Sequence, residues 1–70
     1  MQNEQFELTS EYIALCDLLK LVGVANSGGQ GKQMVSDGIV AVDGEVELRK
    51  AAKIRAGQVV ECAGVRITVV

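Results

Sequence analysis

Three glycines and a lysine fall close together at Gly28, Gly29, Gly31 and Lys32. Residues of these types can hold a phosphate. Amides without side chains around them let an anion approach closely, and an ammonium group one turn away can reach the same anion. The stretch also reads as an ordinary capped helix whose glycines allow close packing. A second group of cations, Arg49, Lys50, Lys53 and Arg55, lies in the run ELRKAAKIR at residues 47–55. Beside the first group they would extend a phosphate-binding surface suited to a ribose-phosphate backbone. Otherwise they form a solvated face, neutralised by Glu45 and Glu47.

Nucleotide hydrolysis does not fit. The phosphate loop of such enzymes needs G-x-x-x-x-G-K-[ST]. Here Asn26 stands at the first glycine position and Gln33 at the hydroxyl that would hold magnesium. Other enzyme chemistry has little to work with. The chain has no histidine, Cys16 and Cys62 have no evident base, and no carboxylate pair shows the spacing of a site. Two isolated cysteines cannot make a zinc centre. A non-enzymatic protein with no cofactor and no metal is expected.

The elements that must position these residues follow from periodicity. Thr9 and Ser10 offer N-cap hydroxyls and Glu11 suits a first turn. Tyr12, Leu15, Cys16, Leu19 and Val22 then share one helical face, and Gly23 ends the helix. Ser27 and Gln30 fit a capping box, which predicts a second helix over 28–37 with Gly38 as its stop. Gly31 costs that helix about 1 kcal/mol relative to alanine, which makes sense if another backbone packs closely against it. Beyond Gly38 the period changes to two. IVAV-DG-EVEL predicts a hairpin pairing Ala41 with Val46 and Ile39 with Leu48, which gives one apolar face. QVVECAGVRITVV predicts a second hairpin around Ala63-Gly64. It pairs Val60 with Ile67 and Cys62 with Val65, and sets Glu61 opposite Arg66. Phe6–Leu8 reads as a short strand. The outline is α+β: two short helices packed on a small, mainly antiparallel sheet.

Seventy residues at 49% hydrophobic composition predict one domain, with 1–9 an acidic N-terminal arm and the core at about 10–70. No apolar run approaches the ~20 residues that span a bilayer. The acidic N-terminus is unlike a secretory or transit signal. A cytoplasmic monomer that does not bind membranes is expected, with both cysteines as buried small hydrophobes. The formal net charge of −2 argues against strong nonspecific polyanion binding, but it is unevenly spread. Residues 1–17 hold four acids and no base, and residues 18–70 hold all seven bases against five acids.

The order of these features resembles the RNA-binding domain named after ribosomal protein S-four. The resemblance covers roughly residues 13–61. It rests on LCDLLKLVG, on Ser27 opening a second helix, on MVSDGIVAVDG and on KIRAGQVV. The chain is most similar to the small stand-alone bacterial members of the YbcJ type, with their SG-x-Q-x-K and VDG-x-VE-x-RK-xx-KI runs. The resemblance implies a non-enzymatic module, standing alone, that binds structured RNA such as ribosomal RNA or tRNA. Ser27, Gly28, Gly29, Gln30 and Lys32 would sit at the RNA-facing helix start, flanked by Arg49, Lys50, Lys53 and Arg55. Two positions depart from the common pattern: Gly28 replaces an arginine and Gly31 an alanine. Folded RNA is expected over single strands, because Phe6 and Tyr12 are the only aromatics and both are expected to be buried. The alternative is a small adaptor that docks a protein partner through the acidic arm or through a sheet edge near Val69 and Val70.

Overall fold

The computed structural model describes Met1–Val70, and its sheet is built around the two hairpins that the alternation predicts. In chain order the elements are β1 (Gln2–Phe6), β2 (Ile13–Ala14), α1 (Leu15–Leu21), α2 (Gly28–Ser36), β3 (Val40–Val42), β4 (Glu45–Val46), β5 (Lys53–Ile54), β6 (Val59–Cys62) and β7 (Val65–Val69). The five-stranded sheet runs β1-β7-β6-β3-β4, and β2 and β5 form a separate ribbon. Only the β1–β7 pairing is parallel.

Both hairpin turns place two consecutive residues at positive φ, as a type I′ turn requires. Asp43 and Gly44 lie at 51° and 86°, and Ala63 and Gly64 at 50° and 77°. Register follows from the turns. Ala41 pairs with Val46, Val60 with Ile67, and Cys62 with Val65. Glu61 stands opposite Arg66, and an Arg66 Nη2 lies 3.5 Å from a Glu61 carboxylate oxygen.

The first hairpin turns a different face inward from the one its apolar pairs suggest. Val40 is buried, while Ile39, Val46 and Leu48 are 51%, 62% and 62% exposed. The cause is β6 on the far side of β3. Val40 pairs with Cys62 and Val42 with Val60, so those residues set the core face, and one position along the strand reverses it. The ladder also stops at Glu45–Val46, short of an Ile39–Leu48 pair.

The chain's first residues lie in the sheet. Gln2 pairs with Val65 and Phe6 with Val69, which makes β1 an edge strand. The strand therefore falls at Gln2–Phe6 rather than at 6–8. β7 has β1 on its outer side and Val69 is buried, so the open edges are β1 and β4, not the segment at Val69 and Val70.

The first helix begins later than its hydroxyls suggest. Thr9 and Ser10 do not cap it; α1 starts at Leu15, and its N-cap, Ala14, has no side-chain cap. Residues 13–14 are drawn into the ribbon, where Ile13 pairs with Ile54 and Ala14 with Lys53. The unfilled amides of the first turn find backbone acceptors instead: Leu15 N–H donates to Ala52 O at 2.9 Å and Cys16 N–H to Lys50 O at 3.1 Å. At the other end Gly23, at φ 85°, donates to Lys20 O. In α2 the expected stop is present. Gly38 at φ 77° donates to Val35 O and Ile39 to Met34 O, a Schellman pattern.

Leu15, Leu18 and Leu19 of α1, Val35 of α2 and Val40, Val60, Ile67 and Val69 of the sheet meet in one core, with Ile54 closing it from the ribbon. Cys16 and Cys62 are both buried and free. Burial pushes the Cys62 thiol pKa up, which keeps it protonated and apolar.

Candidate nucleic-acid interface

Ser27 caps α2, its hydroxyl accepting from Gln30 N–H at 3.1 Å. A cap of this kind contributes about 1 kcal/mol. Gln30 reaches back one residue further than a standard capping box, and its amide oxygen accepts from Asn26 N–H. Gly31 N–H donates to Ser27 O, which closes the first turn. Of the amides expected to face an anion, that of Gln30 is therefore occupied. Those of Gly28 and Gly29 remain unpaired within the protein.

The three glycines have different roles. A Cβ on Gly28 would meet nothing within 4 Å, and one on Gly29 would meet only the Ser27 hydroxyl at 3.8 Å. Neither is required by packing. A Cβ on Gly31 would lie 2.7 Å from the carbonyl oxygen of Cys16. Gly31 is thus the point where the α2 backbone rests on α1, and its missing side chain is a packing requirement.

The same Cys16 peptide links the two cationic regions. Its carbonyl lies against Gly31 and its N–H donates to Lys50 O. The start of α2 and the basic loop at 49–52 are therefore held on either side of one residue. Gln30, Lys32, Arg49, Lys50, Lys53 and Arg55 are all exposed. Arg49, Ala51, Ala52 and Lys53 line a shallow hollow on this loop.

The cations are not equally available. Arg49 is held by Glu47, with Nε and Nη2 each 3.0 Å from a carboxylate oxygen, and the Arg49 backbone N–H donates to the same carboxylate. These bonds from Arg49 lower the Glu47 carboxyl from its ordinary 4.5 to about 2. The pairing is complete above pH 4.5 and is lost only as pH falls through about 2. Lys53 and Arg55 engage the Tyr12 ring, with Nζ 5.0 Å and Cζ 5.9 Å from its centroid. Lys32 and Lys50 have no ion-pair partner.

Tyr12 also departs from the expectation. Expected in the core, it is 42% exposed. Helical periodicity grouped it with Leu15 and Leu19. Instead Ile13 and Ile54 pair in the ribbon and pack on the core, while Lys53, and Tyr12 and Arg55 one residue beyond the strands, are exposed. The signal was present in the matched alternation of YIA and KIR. Phe6 stays half-buried against the core.

Comparison with known proteins gives one consistent family. The model of the S4 domain matches residues 6–70. YbcJ of Escherichia coli strain K12 is 52% identical over 59 residues, covering 84% of each chain. RlbA of Bacillus subtilis strain 168, whose name ties it to ribosome maturation, is 39% identical over 57 residues, 81% of this chain and 80% of its own. The solution structure of E. coli YbcJ, described as revealing an alfaL motif involved in RNA binding, superposes with a TM-score of 0.73 at 49% identity. It covers 94% of this chain and 85% of that one.

Proposed function

This chain belongs to the S4 domain family, and from that membership we propose that it is a non-enzymatic module that binds structured RNA, ribosomal RNA foremost. Contact is made by the phosphate backbone at the start of α2 and along the basic loop. The observation that carries this reading is the Cys16 peptide, with Gly31 on its carbonyl and Lys50 on its N–H. It ties the start of α2 and the basic loop to one residue, which supports reading their amides and cations as one surface. The ribosomal preference draws on the name of the B. subtilis relative.

Phosphate binding of this kind is read in its salt dependence. If four or five phosphates are neutralised, log K falls with log salt at a slope of about −3 to −4. Titrating a folded ribosomal RNA fragment against the protein at several salt concentrations measures it. Tight binding that ignores salt rules out the mechanism.

Glu47 restrains the same surface. Replacing it with glutamine keeps the shape, removes the carboxylate and releases Arg49. RNA affinity then rises by up to about fivefold, the range of an exposed ion pair, and the salt slope steepens by a little under one. An affinity in Glu47→Gln equal to or below that of the wild type places Arg49 outside the interface.

A further inference from the structure

We propose that Tyr12, flanked by Lys53 and Arg55, is a stacking site for one unpaired nucleobase of the bound RNA. This rests on the RNA reading above and adds to it a contact with a base, where the α2 start and the loop contact only phosphate.

Three observations carry it. First, the ring lies next to the ribbon and points away from the core. Ile13 and Ile54 pair and pack on the core, and the adjoining Tyr12, Lys53 and Arg55 are exposed together, both cations over the ring. Second, the ring stays 42% exposed although two cations lie within 6 Å of its centre. Cations over the ring at this distance hold it in place by cation–π attraction and set positive charge beside its exposed surface. Third, the surroundings are polarised. Lys53 also borders the basic hollow, together with Arg49. A second hollow beside Tyr12 is lined by Ser10, Glu11, Ile13, Ala14 and Asp17. Its two carboxylates repel a phosphate but accept hydrogen bonds from the exocyclic amine of a base. A nucleotide can therefore lie in one orientation, with its phosphate toward Lys53 and Arg55 and its base over the ring toward Glu11 and Asp17.

Stacking on a ring needs a base free of its own helix, so the site selects a bulge, loop or end within folded RNA. Fully paired RNA meets only the phosphate contacts. The surface thus distinguishes an interrupted helix from a continuous one.

The test uses the full chain and two RNA stems of the same sequence, one carrying a single bulged 2-aminopurine and one fully paired. The wild type is expected to bind the bulged stem about tenfold more tightly and to quench the 2-aminopurine fluorescence. Tyr12→Ala loses that preference and the quenching, while its affinity for the paired stem and its salt slope stay unchanged. Tyr12→Phe retains both, which shows that the ring and not the hydroxyl acts, and guards against a folding defect in the alanine variant. If Tyr12→Ala still prefers and quenches the bulged stem as the wild type does, the stacking site is overturned. If the wild type binds both stems equally and leaves the fluorescence unchanged, it is overturned while the phosphate reading stands. If the wild type binds neither stem, the RNA reading fails and this inference fails with it.

Discussion

Reversing Lys32 and Lys50 to glutamate is expected to abolish most RNA binding and leave the fold intact. Both side chains are exposed and neither has an ion-pair partner in the protein, so little internal structure depends on them. Each charge-assisted contact to phosphate contributes about 1.5 kcal/mol or more. Two lost contacts cost about 3 kcal/mol, roughly a hundredfold in affinity, and the introduced negative charges add repulsion. The salt slope falls in magnitude by about two. The pair also tests the arrangement, because one lysine comes from α2 and the other from the loop joined to it through Cys16. If Lys32→Glu alone weakens RNA and Lys50→Glu does not, the loop faces elsewhere. Circular dichroism and urea unfolding check that the variants stay folded. Lys53 is left unchanged in this experiment because it also serves the Tyr12 ring.

Gly31→Ala shows the opposite division of effects. On an isolated helix the change would stabilise by about 1 kcal/mol. In the protein the new methyl carbon falls 2.7 Å from the Cys16 carbonyl oxygen, and backbone lies on both sides of the clash. No flexible side chain can yield, so the helices must separate. Overpacking of this sort costs about 1–3 kcal/mol. The net loss expected is about 1 kcal/mol and at most about 2, a sizeable share of the roughly 5 kcal/mol margin of so small a domain. The midpoint of urea unfolding falls accordingly, with its slope unchanged. RNA affinity falls as well, since parting α1 from α2 disturbs the peptide whose N–H holds Lys50. A midpoint at or above that of the wild type would show that the close approach at Cys16 is absent in solution.

What the sequence revealed depended on how local each cause was. The Asp43-Gly44 and Ala63-Gly64 turns are determined by neighbouring residues, and they carried the hairpin registers with them. The Ser27 cap and the Gly38 stop are equally local, so α2 was placed within one residue. The start of α1 was not. Its first amides are filled by carbonyls at 50 and 52, far along the chain, and no hydroxyl near Thr9 signals that. Tyr12 was misread for a related reason. Over three or four residues, helical and strand periodicities select overlapping positions, and only the partner at 53–54 decides between them. The inward face of β3 was likewise decided by β6 rather than by its own hairpin partner. At the site, the cations were visible as residue types. That Glu47 holds Arg49 while Lys32 stays unpaired depends on loop geometry, which composition does not encode.

The parallel pairing of β1 with β7 joins two segments that lie far apart in the chain, Gln2 meeting Val65 and Phe6 meeting Val69. During synthesis Gln2–Phe6 has no ladder partner until Val65–Val69 has been made. Its backbone groups stay open throughout that interval, and the sheet completes only once β7 is in place. A cut that removes β1 therefore leaves β7 with a bare flank.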